Sequence, residues 1–203
     1  LVQDSVQQAL VLVEKLIAKH PNVAFAYTLK GLAHSRLENN GEAIVAYERT
    51  LELLPNSPAA LVGLGDVYAR LEKWGKARDY FDKAVQIDPF DLEAHQRMGD
   101  MAMMRSDPDR AANAFANLVL LAPERVDFRH KWAMSLVTSG QTQQAVAVYE
   151  AILDLKAEDM EALIRLAALH LGLGERDPLT RDVHRIKAVN YLNQAHEINP
   201  DNQ

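Results

Sequence analysis

One spacing constrains this chain more than any other feature. Ala77, Phe81, Ala84 and Pro89 stand four, three and five residues apart, and the same frame returns as Ala43, Tyr47, Thr50, Pro55 and as Ala111, Phe115, Leu118, Pro123. It recurs again as Ala145, Tyr149, Ile152, Ala157, and outside these as Ala9, Val13, Leu16, Pro21 and Ala188, Leu192, Ala195, Pro200. Between Ala43 and Ala145 the step is 34 residues each time. Steps of four and three put the first three residues on one stripe of a helix. The proline then ends that helix, because it cannot continue the hydrogen-bond ladder and it pushes its predecessor out of the α region. A fixed period of this size means that each unit is one supersecondary element whose apolar face is covered by its neighbours.

A second stripe precedes each frame in register. Leu61, Leu64, Gly65 and Tyr68 lead into Trp74 and Gly75. The equivalents are Tyr27, Gly31, His34; His95, Met98, Gly99, Ala102; Arg129, Trp132, Ala133, Leu136; and Leu163, Leu166, Ala167, His170. Gly or Ala recurs where two helices of a hairpin approach closely. His34, Ala102, Leu136 and His170 replace the tyrosine, and Ala157 replaces the proline, so those units match less well. The 29 residues Leu61 to Pro89 resemble one tetratricopeptide repeat (TPR), and the resemblance extends over nearly the whole chain. It implies an all-α fold, a right-handed α-solenoid of stacked antiparallel helix hairpins with about eleven helices.

On this reading residues 1–203 form a single solenoid. Residues 1–21 are the second helix of a partial repeat; 24–57, 58–91, 92–125 and 126–159 are full repeats; 160–203 is an irregular fifth repeat with an insertion at about 175–187. Asp177-Pro178 reads as an N-cap with proline at the first helical position. That predicts a long last helix over roughly Pro178 to Asn199. Asp107-Pro108 uses the same device. The chain opens on Leu1 rather than Met, which suggests a processed piece of a longer chain. The two end helices, lacking caps, are expected to expose apolar surface that further repeats or a partner would cover.

Composition sets outer limits. A net charge of −6 argues against a general binder of nucleic acid or anionic membranes, which relies on clustered Lys and Arg. There is no cysteine, hence no disulfide framework, thiolate nucleophile or thiolate metal site. That fits the cytosol ahead of the periplasm, although a disulfide-free periplasmic protein would read the same. No uncharged apolar run reaches the roughly 18 residues of a membrane span.

Signatures of catalysis are absent from the pattern. Gly63-Leu64-Gly65 follows no strand and sits within a helix, where it serves packing rather than a phosphate. The seven histidines form no His-Glu-x-x-His pattern, so neither a metal nor another cofactor is expected. His34 and His170 read as packing residues. The expectation is a chain that is not an enzyme.

The family resemblance places a partner-binding groove on the first helices, just off the packing stripe. Carried over, it gives Phe25, Leu32, Val62, Met103, His130, Met134 and Ile164 as mixed, partly apolar lining, with Asp66 and Asp100 among them. Arg97, Lys131 and Arg165 lie 34 residues apart, each preceded at i−4 by an acid, Glu93, Asp127 or Glu161. They form helix-stabilising pairs, or a ladder that reads an acidic segment. The Lys and Asn set with which some members grip a chaperone C-terminus is missing: Thr28 and Leu32, or Val62 and Asp66, stand in its place. The sequence therefore points to a scaffold for a protein or peptide partner, acting through its groove or its ends within a larger assembly. Two alternatives stand beside it: a regulatory or targeting segment of a longer enzyme such as a transferase, and a self-assembling structural protein.

Overall fold

The computed structural model describes residues 2–199. Pro200, the last proline of the repeating frame, lies outside them. The described residues form eleven α-helices and no strand: α1 (Val2–Lys19), α2 (Ala24–Arg36), α3 (Asn40–Leu53), α4 (Pro58–Arg70), α5 (Trp74–Ile87), α6 (Leu92–Met104), α7 (Pro108–Leu121), α8 (Val126–Thr138), α9 (Thr142–Leu155), α10 (Met160–Arg176) and α11 (Arg181–Ile198). The expected all-α, eleven-helix fold is the one found. The chain divides into two compact units, Leu1–Met101 and Ala102–Gln203, with the division inside α6.

The turns are as periodic as the helices. Glu38, Glu72, Ser106 and Gly140, 34 residues apart, all adopt positive φ. After each, the next amide reaches back to the helix just ended: Asn39 N–H to His34 O, Lys73 to Tyr68, Asp107 to Ala102, Gln141 to Leu136, at 2.8–2.9 Å. This left-handed closure satisfies the last carbonyls of the first helix and reverses the chain. Two helix starts combine a cap with a proline: Ser57 accepts from Ala60 N–H and Asp107 from Arg110 N–H, each followed by proline in the first turn.

In the first unit α1 packs on α2, α2 on α3 and α4, and α4 on α3 and α5. The core centres on Tyr47, Leu61, Leu64, Val67 and Phe81, all 4% exposed or less. Glycine decides how closely the helices meet. A Cβ on Gly31 would lie 2.7 Å from the Tyr47 ring, and one on Gly63 would overlap the hydroxyl end of the same ring. The Tyr47 ring thus lies against two helix backbones, and Phe81 lies against Gly65.

In the second unit α7, α8, α9, α10 and α11 pack in sequence, each on the next. Ala133, Leu136, Tyr149, Ile152 and Leu166 form the core, and Trp132, Leu169, Leu173 and Tyr191 pack at its edge.

The fifth repeat departs from expectation in detail. The last helix begins at Arg181, and α10 runs for 17 residues against 13 in α2, α4 and α8, so the extra residues divide between both helices and their turn. Asp177 does not cap α11. Its carboxylate accepts from Leu179 N–H and Thr180 Oγ1, closing a local turn that contains Pro178. A short Asp side chain binds its own neighbours as readily as a helix end, and sequence spacing alone does not separate the two.

Candidate partner-binding surfaces

The first helices of each unit carry the residues that the sequence singles out. In the first unit Phe25 (67% exposed) and Leu32 (42%) lie open on α2. Val62 does not line an accessible surface: it is 4% exposed and belongs to the core. The reason is that α4 is packed by helices on both sides, so a position just off its stripe is covered by tertiary neighbours. Arg97 is already engaged. Its Nε lies 3.2 Å from Asp66 Oδ2, in ion-pair contact but without hydrogen-bond alignment, and its Nη2 donates to Glu93 Oε1 at 3.2 Å. Burial pushes the Asp66 carboxyl up to about 6, with Arg97 acting in the other direction and Glu93 adding to the rise. Arg70 is held too, donating to Ser35 Oγ (2.6 Å) and Asn40 Oδ1 (3.3 Å). Most of this face is internally neutralised.

The second unit presents open apolar side chains on two of its first helices. Met134 (41%), Ile164 (45%) and Leu171 (46%) are exposed on α8 and α10. His130 stands beside them. Its Nε2 lies 3.1 Å from Asp159 Oδ1, its Nδ1 is 3.9 Å from Glu161 Oε2, and its ring tilts against Tyr149 with centroids 5.9 Å apart. Asp159 is buried, which opposes its charge. Hydrogen bonds from Ala162 N–H and Lys156, with His130 close by, outweigh that and hold its carboxyl below the usual range. Arg165 touches Glu161 only at 3.8 Å and remains exposed. Met103 is half-buried, its sulfur accepting from the Ser135 hydroxyl at 3.4 Å.

The three cations at 34-residue spacing do not behave alike. The i−4 acid pairs with Arg97 and, loosely, with Arg165. Asp127 instead takes a bidentate bond from Arg125 Nε and Nη2, at 2.8 and 2.6 Å. Lys131 lies across the Phe115 ring, its ammonium 5.4 Å from the ring centre. Gly63, the equivalent position one repeat before Arg97, meets the Tyr47 ring. At Gly63 and Lys131 this register position meets the aromatic of the preceding hairpin, and identical spacing says nothing of that neighbour.

His170 and His34 are buried as expected of packing residues, at 2% and 8% exposure. His170 also meets a partner that the sequence does not indicate, His184 of α11. Among the described residues no group of three or more acids and histidines is placed to hold a metal ion, and no helix is long and apolar enough to cross a membrane.

A tetratricopeptide repeat family model matches residues 28–91 and 130–177, more than half of the chain. No curated protein matches it by sequence. Several solved structures share its fold. YrrB, a TPR protein with an unusual peptide-binding site, is 22% identical, with a TM-score of 0.70 over 94% of this chain and 93% of its own. A MamA protein is 22% identical, with a TM-score of 0.71 over 87% and 92%. PilF of Pseudomonas aeruginosa is 16% identical, with a TM-score of 0.71 over 98% and 86%.

Proposed function

The chain belongs to the tetratricopeptide repeat family, and from that premise we propose that it is a non-catalytic scaffold that binds a protein or peptide partner. The observation that carries this reading is the open first-helix face of the second unit. There Met134, Ile164 and Leu171 are each more than 40% exposed beside His130 and Arg165. Exposed apolar side chains next to a few polar groups are what a short amphipathic segment needs, and methionine adapts to an irregular surface. An acidic group on that segment would meet Arg165, whose ion pair with Glu161 is long. The likeness to YrrB supports a peptide as the partner class. The even 34-residue register supports reading residues 1–203 as one array of repeats.

The test is affinity capture from native lysate with cross-linking, comparing the wild-type chain with a Met134→Ser, Ile164→Ser, Arg165→Glu variant. All three side chains are exposed, so helicity should be unchanged while capture falls at least about tenfold, the equivalent of about 1.4 kcal/mol. Undiminished capture by a folded variant overturns the assignment.

A second reading has its own observation. Val11 (50%) and Leu12 (66%) are exposed on α1, and Val183 (56%) and Ile186 (62%) on α11, as end helices without a covering neighbour would be. This supports self-association through the end helices, which light scattering across concentration would detect.

A further inference from the structure

We propose that the histidine pair His170–His184 makes the docking of α11 onto α10 sensitive to pH, holding the helix down near neutrality and loosening it on acidification. The two residues are 14 apart in sequence, and the hairpin brings their Nδ1 atoms to 2.8 Å. The ring centroids are 5.1 Å apart with planes at 29°. That separation exceeds the nitrogen distance by about the two ring radii, so the nitrogens lie on the line between the rings. This is an in-line N–H···N hydrogen bond, with one nitrogen donating into the lone pair of the other. No metal ion fits between them, since two metal–nitrogen bonds of roughly 2.0–2.1 Å each need more room on that line.

Burial indicates which histidine donates. His170 Nε2 is buried with no partner, and His170 is 2% exposed. A buried N–H without an acceptor is rarer than a bare acceptor. His170 therefore carries its proton on Nδ1 and donates, and the half-buried His184 accepts and keeps its own proton on Nε2. An added proton has only two places to go. On His184 Nδ1 it destroys the acceptor; on His170 Nε2 it leaves the bond to His184 in place but makes a buried cation whose Nε2–H has no acceptor.

The surroundings do not rescue the charged form. From α9, Glu150 favours a charge on His170, but its carboxylate is 3.2 Å from the Tyr191 hydroxyl, which donates to it. On α11, Lys187 opposes a charge, and the Tyr191 ring lies parallel to His170 at 5.8 Å. Asp177 and Arg181 flank the turn; Arg181 donates to Gly174 O, and Asp177 is hydrogen-bonded to Thr180. Burial is the largest influence, followed by Lys187 and His184, and His170 is held below the ordinary histidine value. A depressed histidine stabilises the docked state fully above its unfolded value of about 6.5. That contribution is lost as the pH falls through 6.5 toward the folded value.

The pair matters because α11 itself contributes few large buried side chains to this seam. Only Ala188 and Ala195 of α11 are buried, and the helices meet so closely at Gly174 that a Cβ there would lie 3.2 Å from His184 Cβ. Apart from Tyr191, which packs with Leu169 and Leu173 of α10 against the core, α11 buries only small side chains, so the histidine pair carries a large part of its docking.

Hydrogen–deuterium exchange of the full chain at pH 7.5 and 5.0, corrected for intrinsic exchange rates, reads the docking directly. Amides in 181–198 should lose about three- to tenfold of their protection at pH 5.0, within the limit of tenfold per pH unit for one proton. His170→Tyr, which places at this position the residue that Tyr68 supplies in its own repeat, should remove the dependence. Should that variant fail to fold by circular dichroism, His184→Gln at the half-buried site should retain less than half of the wild-type change. Equal protection of the wild type at both pH values overturns the proposal, as does a folded variant that keeps the full dependence.

Discussion

The two units use the same repeat frame and close it differently. In the first, glycine lets helix backbones meet aromatic rings: Gly31 and Gly63 against Tyr47, Gly65 against Phe81. In the second, Ala133 and Ala167 stand at the position of Gly65, and Lys131 covers Phe115 with its own side chain where Gly63 leaves room for Tyr47. The carboxylates differ too. Asp66 is raised by burial, whereas Asp159, only 5% exposed, is lowered because Ala162 N–H, Lys156 and His130 bind its charged form. A repeat frame therefore specifies where a side chain goes, and the neighbour it meets decides what that side chain does.

The largest way to break this contrast is Gly63→Ala. The new methyl overlaps the Tyr47 ring, which packs within a closed core and cannot step aside, so the change should cost about 1–3 kcal/mol of stability by urea denaturation. Lys131→Ala, at the equivalent register position of the second unit, overlaps nothing, and the loss of its cation–π contact with Phe115 should cost about 0.5–1 kcal/mol. Equal costs would mean that the ring is not held by backbone in the first unit.

The carboxylates give an effect of similar or smaller size and of opposite sign. Asp159→Ala removes the cap of α10 and should destabilise at pH 7 by about 0.5–2 kcal/mol. Its benefit is present above the ordinary carboxylate value and is lost only as the pH falls through the lowered folded value. Asp66→Asn should cost little at pH 7. The folded value of about 6 lies above the ordinary 3.8, so ionised Asp66 is a penalty that disappears as the pH falls from above 6 toward 3.8. Thermal melts from pH 4 to 8 would separate the two, and a wild-type pH slope surviving in Asp66→Asn would contradict the assignment.

The smallest effect concerns the turns. Glu72 holds φ of 54° where Gly140 holds 78° in the equivalent turn. A left-handed conformation costs a non-glycine residue roughly 1–2 kcal/mol, partly offset by the chain entropy that glycine loses. Glu72→Gly should therefore stabilise by about 0.5–1 kcal/mol, and Gly140→Glu should destabilise by a similar amount. No change in melting temperature for either would show that the turns are not strained.

The hairpins are legible in the residue order. Alternation of small, aromatic and small residues at helical spacing predicts them, and Tyr47, Phe81, Phe115 and Tyr149 are all buried as that pattern requires. The surface is less legible. Val62 reads as groove lining because it sits off the stripe, yet helices on both sides of α4 cover it. Asp127 and Lys131 have the spacing of a helix pair, but Arg125 offers a bidentate grip and Phe115 offers a ring. Asp177-Pro178 has the composition of a helix start and forms a turn. Each mismatch has the same origin: a local rule applied where a competing partner of comparable energy lies within reach.

Sequence alone determined the period, the helices, their turns and the stripe that each buries, because these rest on interactions between residues a few positions apart and on strong punctuation by proline. Tertiary structure alone decided which off-stripe residues stay open, which cations are already paired, and that His170 and His184 share a proton. Those outcomes depend on distances between separate helices, and on burial, which turns a polar side chain on a helix face into a group that must find its partner.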